Sequence, residues 1–169
     1  QNRIDLTKKM NIPNSLELDI GAELRDEIMI PCGCKNLLIV DDDIFNLMSL
    51  EMMLNSLGIT CIKAMNGVEA LEILKSKYKD YSRTCCLGFK LIIMDYQMPI
   101  MDGVETTLSI MELIDKCSIP RIPIIGCTAF ASKNEVIKCF EAGMKDVVFK
   151  PLTKKILMNL LRKWYPNYH

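Results

Sequence analysis

Five short apolar runs alternating with five longer helix-patterned stretches predict an α/β domain: a five-stranded parallel sheet wound by helices on both faces. Two further observations support it. The runs are continuously apolar, as in Leu37-Leu38-Ile39-Val40 and Leu91-Ile92-Ile93-Met94, which is what strands buried on both faces require. Polar residues also stand where four of the five runs end, at Asp41, Asp95, Thr128 and Lys150. Open α/β sheets bind ligands beyond the carboxyl ends of their strands, where strand order reverses.

The elements follow in order. Residues 1–35 are expected to be a lead-in or linker; Leu16, Ile20, Leu24 and Ile28 recur every four residues as one helical stripe, while Leu16 to Ile20 equally fits a strand by alternation. The folded domain is expected over 36–169. Strand one is Leu37 to Val40, helix one Ile44 to Leu57 stopped by Gly58, and strand two Ile59 to Ala64. Asn66-Gly67 opens helix two, Val68 to about Lys79, and a polar loop with two cysteines leads to strand three at Leu91. Pro99 and Asp102-Gly103 make the next turn, proline fixing φ and glycine accepting positive φ. Helix three runs from Val104 to Lys116, strand four from Ile122 to Cys127, and helix four from Asn134 to Ala142 with Gly143 ending it. Strand five is Val147 to Phe149 and helix five Leu152 to Tyr165.

Composition excludes several classes. With 169 residues, half of them hydrophobic, the chain can bury one core without disulfides. A formal net charge of zero gives no electrostatic case for nucleic acid or an anionic membrane surface. The apolar runs are a few residues long against the roughly 20 that span a bilayer, and no signal-peptide pattern precedes them. The expectation is a soluble cytoplasmic chain, alone or as part of a larger membrane-attached or complex-bound protein. Its first residue is Gln1 rather than Met, as expected of a piece of something longer or a processed product. Eight cysteines lack the Cys-x-x-Cys spacing of a zinc site, and Cys61 and Cys127 sit inside strand-like runs, so they read as buried reduced thiols. The only histidine is His169, which leaves no internal histidine for a kinase core or a phosphotransfer helix.

The strand-end residues carry the chemistry. Each has an ordinary reading: an Asp between strand and helix is commonly an N-cap, a Thr caps a turn, and a Lys is a solvated charge. Their conjunction changes this, because in the order 2-1-3-4-5 strands one and three are neighbours at the switch point. Carboxylates converging there repel by about 4 kcal/mol per pair at 4 Å and an effective dielectric near 20, unless a cation or proton intervenes. A hard divalent ion with oxygen ligands answers that, and Mg²⁺ with one or two carboxylates plus a phosphate fits a site without His or Cys. An Asp can itself attack phosphorus to give an aspartyl phosphate, with metal and lysine neutralising the phosphoryl oxygens.

Leu38 to Asp43, Met94-Asp95, Met98-Pro99, Met101-Asp102-Gly103, Thr128-Ala129 and Lys150-Pro151 together resemble the receiver domain of two-component response regulators, most of all receivers of eukaryotic hybrid histidine kinases. The likeness spans about 37 to 165 and implies a flavodoxin-like (βα)5 fold ordered 2-1-3-4-5. It implies that Asp95 accepts a phosphoryl group from phosphohistidine, that Asp41, Asp42 and Asp95 hold Mg²⁺ with the backbone carbonyl of Gln97, that Lys150 pairs with phosphoryl oxygens and that the Thr128 hydroxyl moves to contact them. Such a domain catalyses its own phosphorylation and dephosphorylation without being a turnover enzyme, and its partner is a histidine kinase or histidine phosphotransfer protein. One departure is Val147, where many receivers carry Tyr or Phe three residues before the lysine; Phe149 lies on the same strand face.

Two rivals stand beside it. Haloacid-dehalogenase-like phosphatases open with an Asp-x-Asp pair that Asp41 and Asp43 mimic, but Phe45 replaces the expected Thr or Val. A receiver kept only as a non-phosphorylated docking module would not need its acids, threonine and lysine. Helix one has a surplus of its own: nine of the fourteen residues from Ile44 to Leu57 are apolar. Leu50, Met53, Leu54 and Leu57 gather on one side, to pack on the sheet, and Ile44, Phe45, Met48 and Met52 on the other. The second stripe is expected to be a partner-docking face, or a face covered by residues 1–35.

Overall fold

The computed structural model describes residues 36–79, 88–129 and 132–165. The lead-in over 1–35, the cysteine-bearing loop, Cys32, Cys34 and His169 lie outside the described residues. Strands β1 (Leu37–Val40), β2 (Cys61–Ala64), β3 (Leu91–Asp95), β4 (Ile124–Thr128) and β5 (Asp146–Phe149) alternate with helices α1 (Ile44–Asn55), α2 (Gly67–Lys79), α3 (Gly103–Asp115), α4 (Lys133–Ala142) and α5 (Lys154–Trp164). All four pairings are parallel, and the sheet order is β2-β1-β3-β4-β5, as the sequence predicts.

Alternation along each strand divides the core in two. Leu38, Val40, Ile92, Met94 and Ile124 point into one cluster, which α2, α3 and α4 close with Ala70, Leu74, Ile110, Ile114 and Cys139. Leu37, Ile39, Leu91, Ile93, Ile125 and Cys127 point into the other, closed by Leu47 and Leu54 of α1 and Leu157, Leu160 and Leu161 of α5. The continuous apolar runs therefore serve both faces, and each fully buried Leu or Ile contributes about 1.5–3 kcal/mol.

Several boundaries differ from the sequence reading, for local reasons. Helix α1 stops at Asn55, because the Leu57 and Gly58 amides turn back to Leu54 O (2.9 Å) and Asn55 O (3.0 Å), with Gly58 at φ 74. The Ile59 amide also donates to Leu54 O (3.0 Å), so β2 begins only at Cys61. Strand β4 starts at Ile124 and extends to Thr128; Pro123 has no N–H for the ladder, though its carbonyl accepts from Ile92 N (3.0 Å). Helix α5 starts at Lys154 behind Thr153, whose hydroxyl accepts from the Ile156 amide. Gly143 ends α4 at φ 114, as expected.

Candidate functional site

Strand register builds the site. Val40 pairs with Met94, so Asp41 and Asp95, each next in chain, end neighbouring strands side by side. Both are buried, at 8% and 5% exposure. The Asp41 amide still donates to Ala64 O (3.2 Å), which anchors the residue to the end of β2. Asp42 is exposed, yet one carboxylate oxygen from each of Asp41, Asp42 and Asp95 lies within 4.8 Å of the others. Three oxygen donors so gathered could hold a hard cation. Among the described residues this is the one acidic, His or Cys cluster with that geometry.

Lys150, at the end of β5, reaches across to the acids. Its Nζ lies 2.7 Å from Asp41 Oδ2 and 2.9 Å from Asp95 Oδ1. Burial works against its charge, but the hydrogen bonds to Asp41 and Asp95 outweigh that and raise its pKa. For Asp95 the balance runs the other way: burial raises its pKa more than Lys150 lowers it. The Lys150–Pro151 peptide is cis.

The remaining predicted residues are placed as follows. Thr128 closes β4 and is buried at 2% exposure, one residue beyond Cys127, the β-partner of Asp95. Gln97 is exposed in the loop two residues past Asp95. Asp43, half of the phosphatase-like pair, is the N-cap of α1 and accepts from the Phe45 amide at 2.8 Å, so it stands outside the acidic group. Ile44, Phe45, Met48 and Met52 are 44, 76, 49 and 70% exposed, and the second apolar stripe of α1 is real. Val147 packs against the core cluster under α2 to α4, whereas Phe149 is exposed at the end of β5.

The β3–α3 loop corrects one expectation. Gly103 is needed not for positive φ but for closeness: a Cβ there would lie 2.2 Å from the carbonyl oxygen of Asp95. The left-handed conformation falls on Ile100, at φ 73 and 83% exposed, a costly place for a β-branched residue. Asp102 caps α3 in a reciprocal box with Glu105.

Sequence reasoning missed Asn46. Its side-chain amide donates to Asp41 Oδ1 at 3.0 Å, and the Asp43 amide donates to the same oxygen at 3.0 Å. Asp41 is thus held from three sides while Asp42 faces solvent. The signal was available, since an amide in the first turn after a strand-end Asp can fold back onto it. The cysteine reading holds for Cys61, Cys127 and Cys139, which are buried, with burial pushing the Cys127 thiol up to about 12; Cys117 is exposed.

Comparison with known proteins agrees with this geometry. The family model described as the response regulator receiver domain matches residues 37–162. The chain is 33% identical over 130 residues to hybrid signal transduction histidine kinase L of Dictyostelium discoideum, covering 77% of this chain but 7% of that protein. It therefore spans a small part of the kinase it resembles. Among solved structures, the receiver domain of the histidine kinase CKI1 from Arabidopsis thaliana, complexed with Mg²⁺, superposes with a TM-score of 0.68 at 28% identity, over 76% of this chain and 90% of that one. The receiver domain of the Saccharomyces cerevisiae response regulator Ssk1, solved with the phosphotransfer protein Ypd1, gives 0.66 at 28% identity, over 77% and 88%. No described helix is long and apolar enough to cross a membrane.

Proposed function

This chain belongs to the response-regulator receiver family, and from that premise we propose that it is the phosphoacceptor stage of a phosphorelay, with Asp95 taking a phosphoryl group from phosphohistidine. The observation that carries the reading is the Lys150 ammonium seated between the buried Asp41 and Asp95 carboxylates, with Asp42 closing an all-oxygen donor set. We assign residues 36–169 to the receiver domain and 1–35 to a lead-in.

The residues fit Mg²⁺: three carboxylates gather without a nitrogen or sulfur ligand, and Asp41, Asp42, Asp95 and the Gln97 carbonyl would hold it. Bound there, the ion supplies charge neutralisation for phosphoryl oxygens. Asp95 attacks phosphorus: one carboxylate oxygen forms the O–P bond, the P–N bond to the donor imidazole breaks, and its electron pair stays on the nitrogen, which takes a proton from water. Lys150 is already within hydrogen-bond reach of the attacking residue and neutralises the incoming oxygens. Thr128, buried on the next strand end, contacts the phosphoryl group once it is attached. The partner is a histidine kinase or histidine phosphotransfer protein that docks on Ile44, Phe45, Met48 and Met52, beside the acid cluster.

The test is labelling with acetyl phosphate or a phosphohistidine donor. One Mg²⁺-dependent, acid-labile phosphoryl group on Asp95, abolished in Asp95→Asn, is expected. No labelling from any donor would leave a docking module, and phosphate on Asp41 with continuous turnover would favour a phosphatase.

A further inference from the structure

A cavity of about 390 Å³ adjoins the acid cluster on the α1 and α5 side of the sheet. Asp41, Asp95 and Lys150 line its polar part, and most of the remaining wall is apolar, with Leu50, Met53 and Leu152 as half-buried side chains. The space is a cleft partly open to solvent, and its volume lies within the size range of small-molecule pockets, about 300–1,000 Å³. Phosphoryl transfer uses the charged part and has no need of the apolar one.

We propose that the cavity is a binding site for a small amphiphilic cation, a molecule with an apolar body and one ammonium or amidinium group, whose occupancy excludes Mg²⁺. Charge selects the class. Asp41 and Asp95 against the Lys150 ammonium leave the cavity's polar wall net negative by one, and Asp42 adds a third carboxylate beside it. An anionic head would add repulsion, and a neutral head would leave the negative charge that Lys150 does not offset without a counter-ion. A cationic head accepts the role of counter-ion through charge-assisted hydrogen bonds, while its body buries apolar surface against α1 and the β5–α5 loop. The head and Mg²⁺ neutralise the same oxygens, so the two compete. A bound cation of this kind holds the domain in its metal-free, unphosphorylated state. The inference goes beyond the phosphoacceptor reading and is read out by binding alone.

The experiment is calorimetric titration of the full chain with three matched probes: 4-phenylbutylamine, 4-phenylbutan-1-ol and 4-phenylbutyrate. The amine is expected to bind about tenfold more tightly than the alcohol or better, with the carboxylate weakest. Mg²⁺ should weaken the amine's apparent affinity in proportion to metal occupancy. Met53→Trp or Leu50→Trp, each filling the cavity, should remove amine binding and leave Mg²⁺ affinity unchanged, the retained Mg²⁺ affinity and the thermal melt showing which variant is folded. Equal affinity for amine and alcohol, amine binding that survives both folded Trp variants, independent binding of amine and Mg²⁺, or no binding of any probe each overturns the proposal. Loss of Mg²⁺ binding in the unaltered chain would instead fault the metal site.

Discussion

Helices α2, α3 and α4 approach one another closely over one face of the sheet at two glycines: a Cβ on Gly67 of α2 would lie 1.9 Å from Thr106 Oγ1 of α3, and one on Gly143, at the end of α4, 2.9 Å from Met111 Cγ. Helices α1 and α5 cover the opposite face around a cleft of about 390 Å³, and α1 gathers four exposed apolar side chains on a single helix. The same strands supply both cores. What differs is that the first face is sealed by close helix contact, whereas the second carries the acids, the lysine and the space beside them. Both sides of the sheet thus supply stability, and one of them also carries the candidate site.

Truncation on the sealed face breaks that contrast most directly. Leu74→Ala or Ile110→Ala, both at 0% exposure, should cost about 2–5 kcal/mol in denaturant melts. Leu50→Ala, at a half-buried wall of an existing void, should cost less than about 1.5 kcal/mol. Equal losses would mean the cavity is closed in solution.

A pH series sharpens the contrast between the two ends of the sheet. Asp95 ends β3 with its pKa raised above 3.8 by burial, so its share of stability is complete below that value and lost as pH rises through the raised one. Asp95→Asn should therefore melt above wild type at neutral pH, the gap narrowing towards acid. Asp146 begins β5; burial opposes its ionisation, but Lys163 Nζ at 2.8 Å and Trp164 Nε1 at 3.1 Å outweigh that and hold its pKa down. Its contribution is present above 3.8 and is lost as pH falls. Asp146→Asn should melt below wild type at neutral pH and converge with it in acid. Parallel shifts for both variants would refute the assignment of cost to the site end and support to the opposite end.

The smallest effect on stability is expected at the exposed stripe of α1. Phe45→Lys or Met48→Lys should change stability by no more than about 0.5 kcal/mol and leave acetyl phosphate labelling of Asp95 intact, while phosphotransfer with a histidine phosphotransfer protein is lost. Labelling and transfer both surviving would remove the docking role. Loss of labelling as well would make the stripe structural.

Much of this was legible in the chain because its strands are buried on both faces, and such strands announce themselves as unbroken runs such as Leu37 to Val40. The candidate site was legible for a related reason: Asp41, Asp95, Thr128 and Lys150 are polar residues where apolar runs stop. Other features depend on partners far along the chain or on backbone angles that composition does not encode. Asn46 reads as an ordinary helix residue until Asp41 is beside it. Ile100 gives no sign of its left-handed φ, since Gly103 nearby is the residue that would invite it. Strand β2 loses its first two expected residues because the end of α1 claims the Ile59 amide, a competition invisible to periodicity.

The pairing of Val40 with Met94 has a consequence for how the acid pair can vary. Adjacent strands lie about 4.8 Å apart whatever their side chains. The backbone spacing of Asp41 and Asp95 is therefore set by the sheet ladder, while Asn46, the Asp43 amide and Lys150 hold the carboxylates themselves. Core substitutions that keep the ladder leave this ruler untouched. A one-residue slip of β3 against β1 turns Asp95 to the opposite face altogether. The backbone placement of the acid pair is insensitive to such core substitutions and sensitive to any change in count.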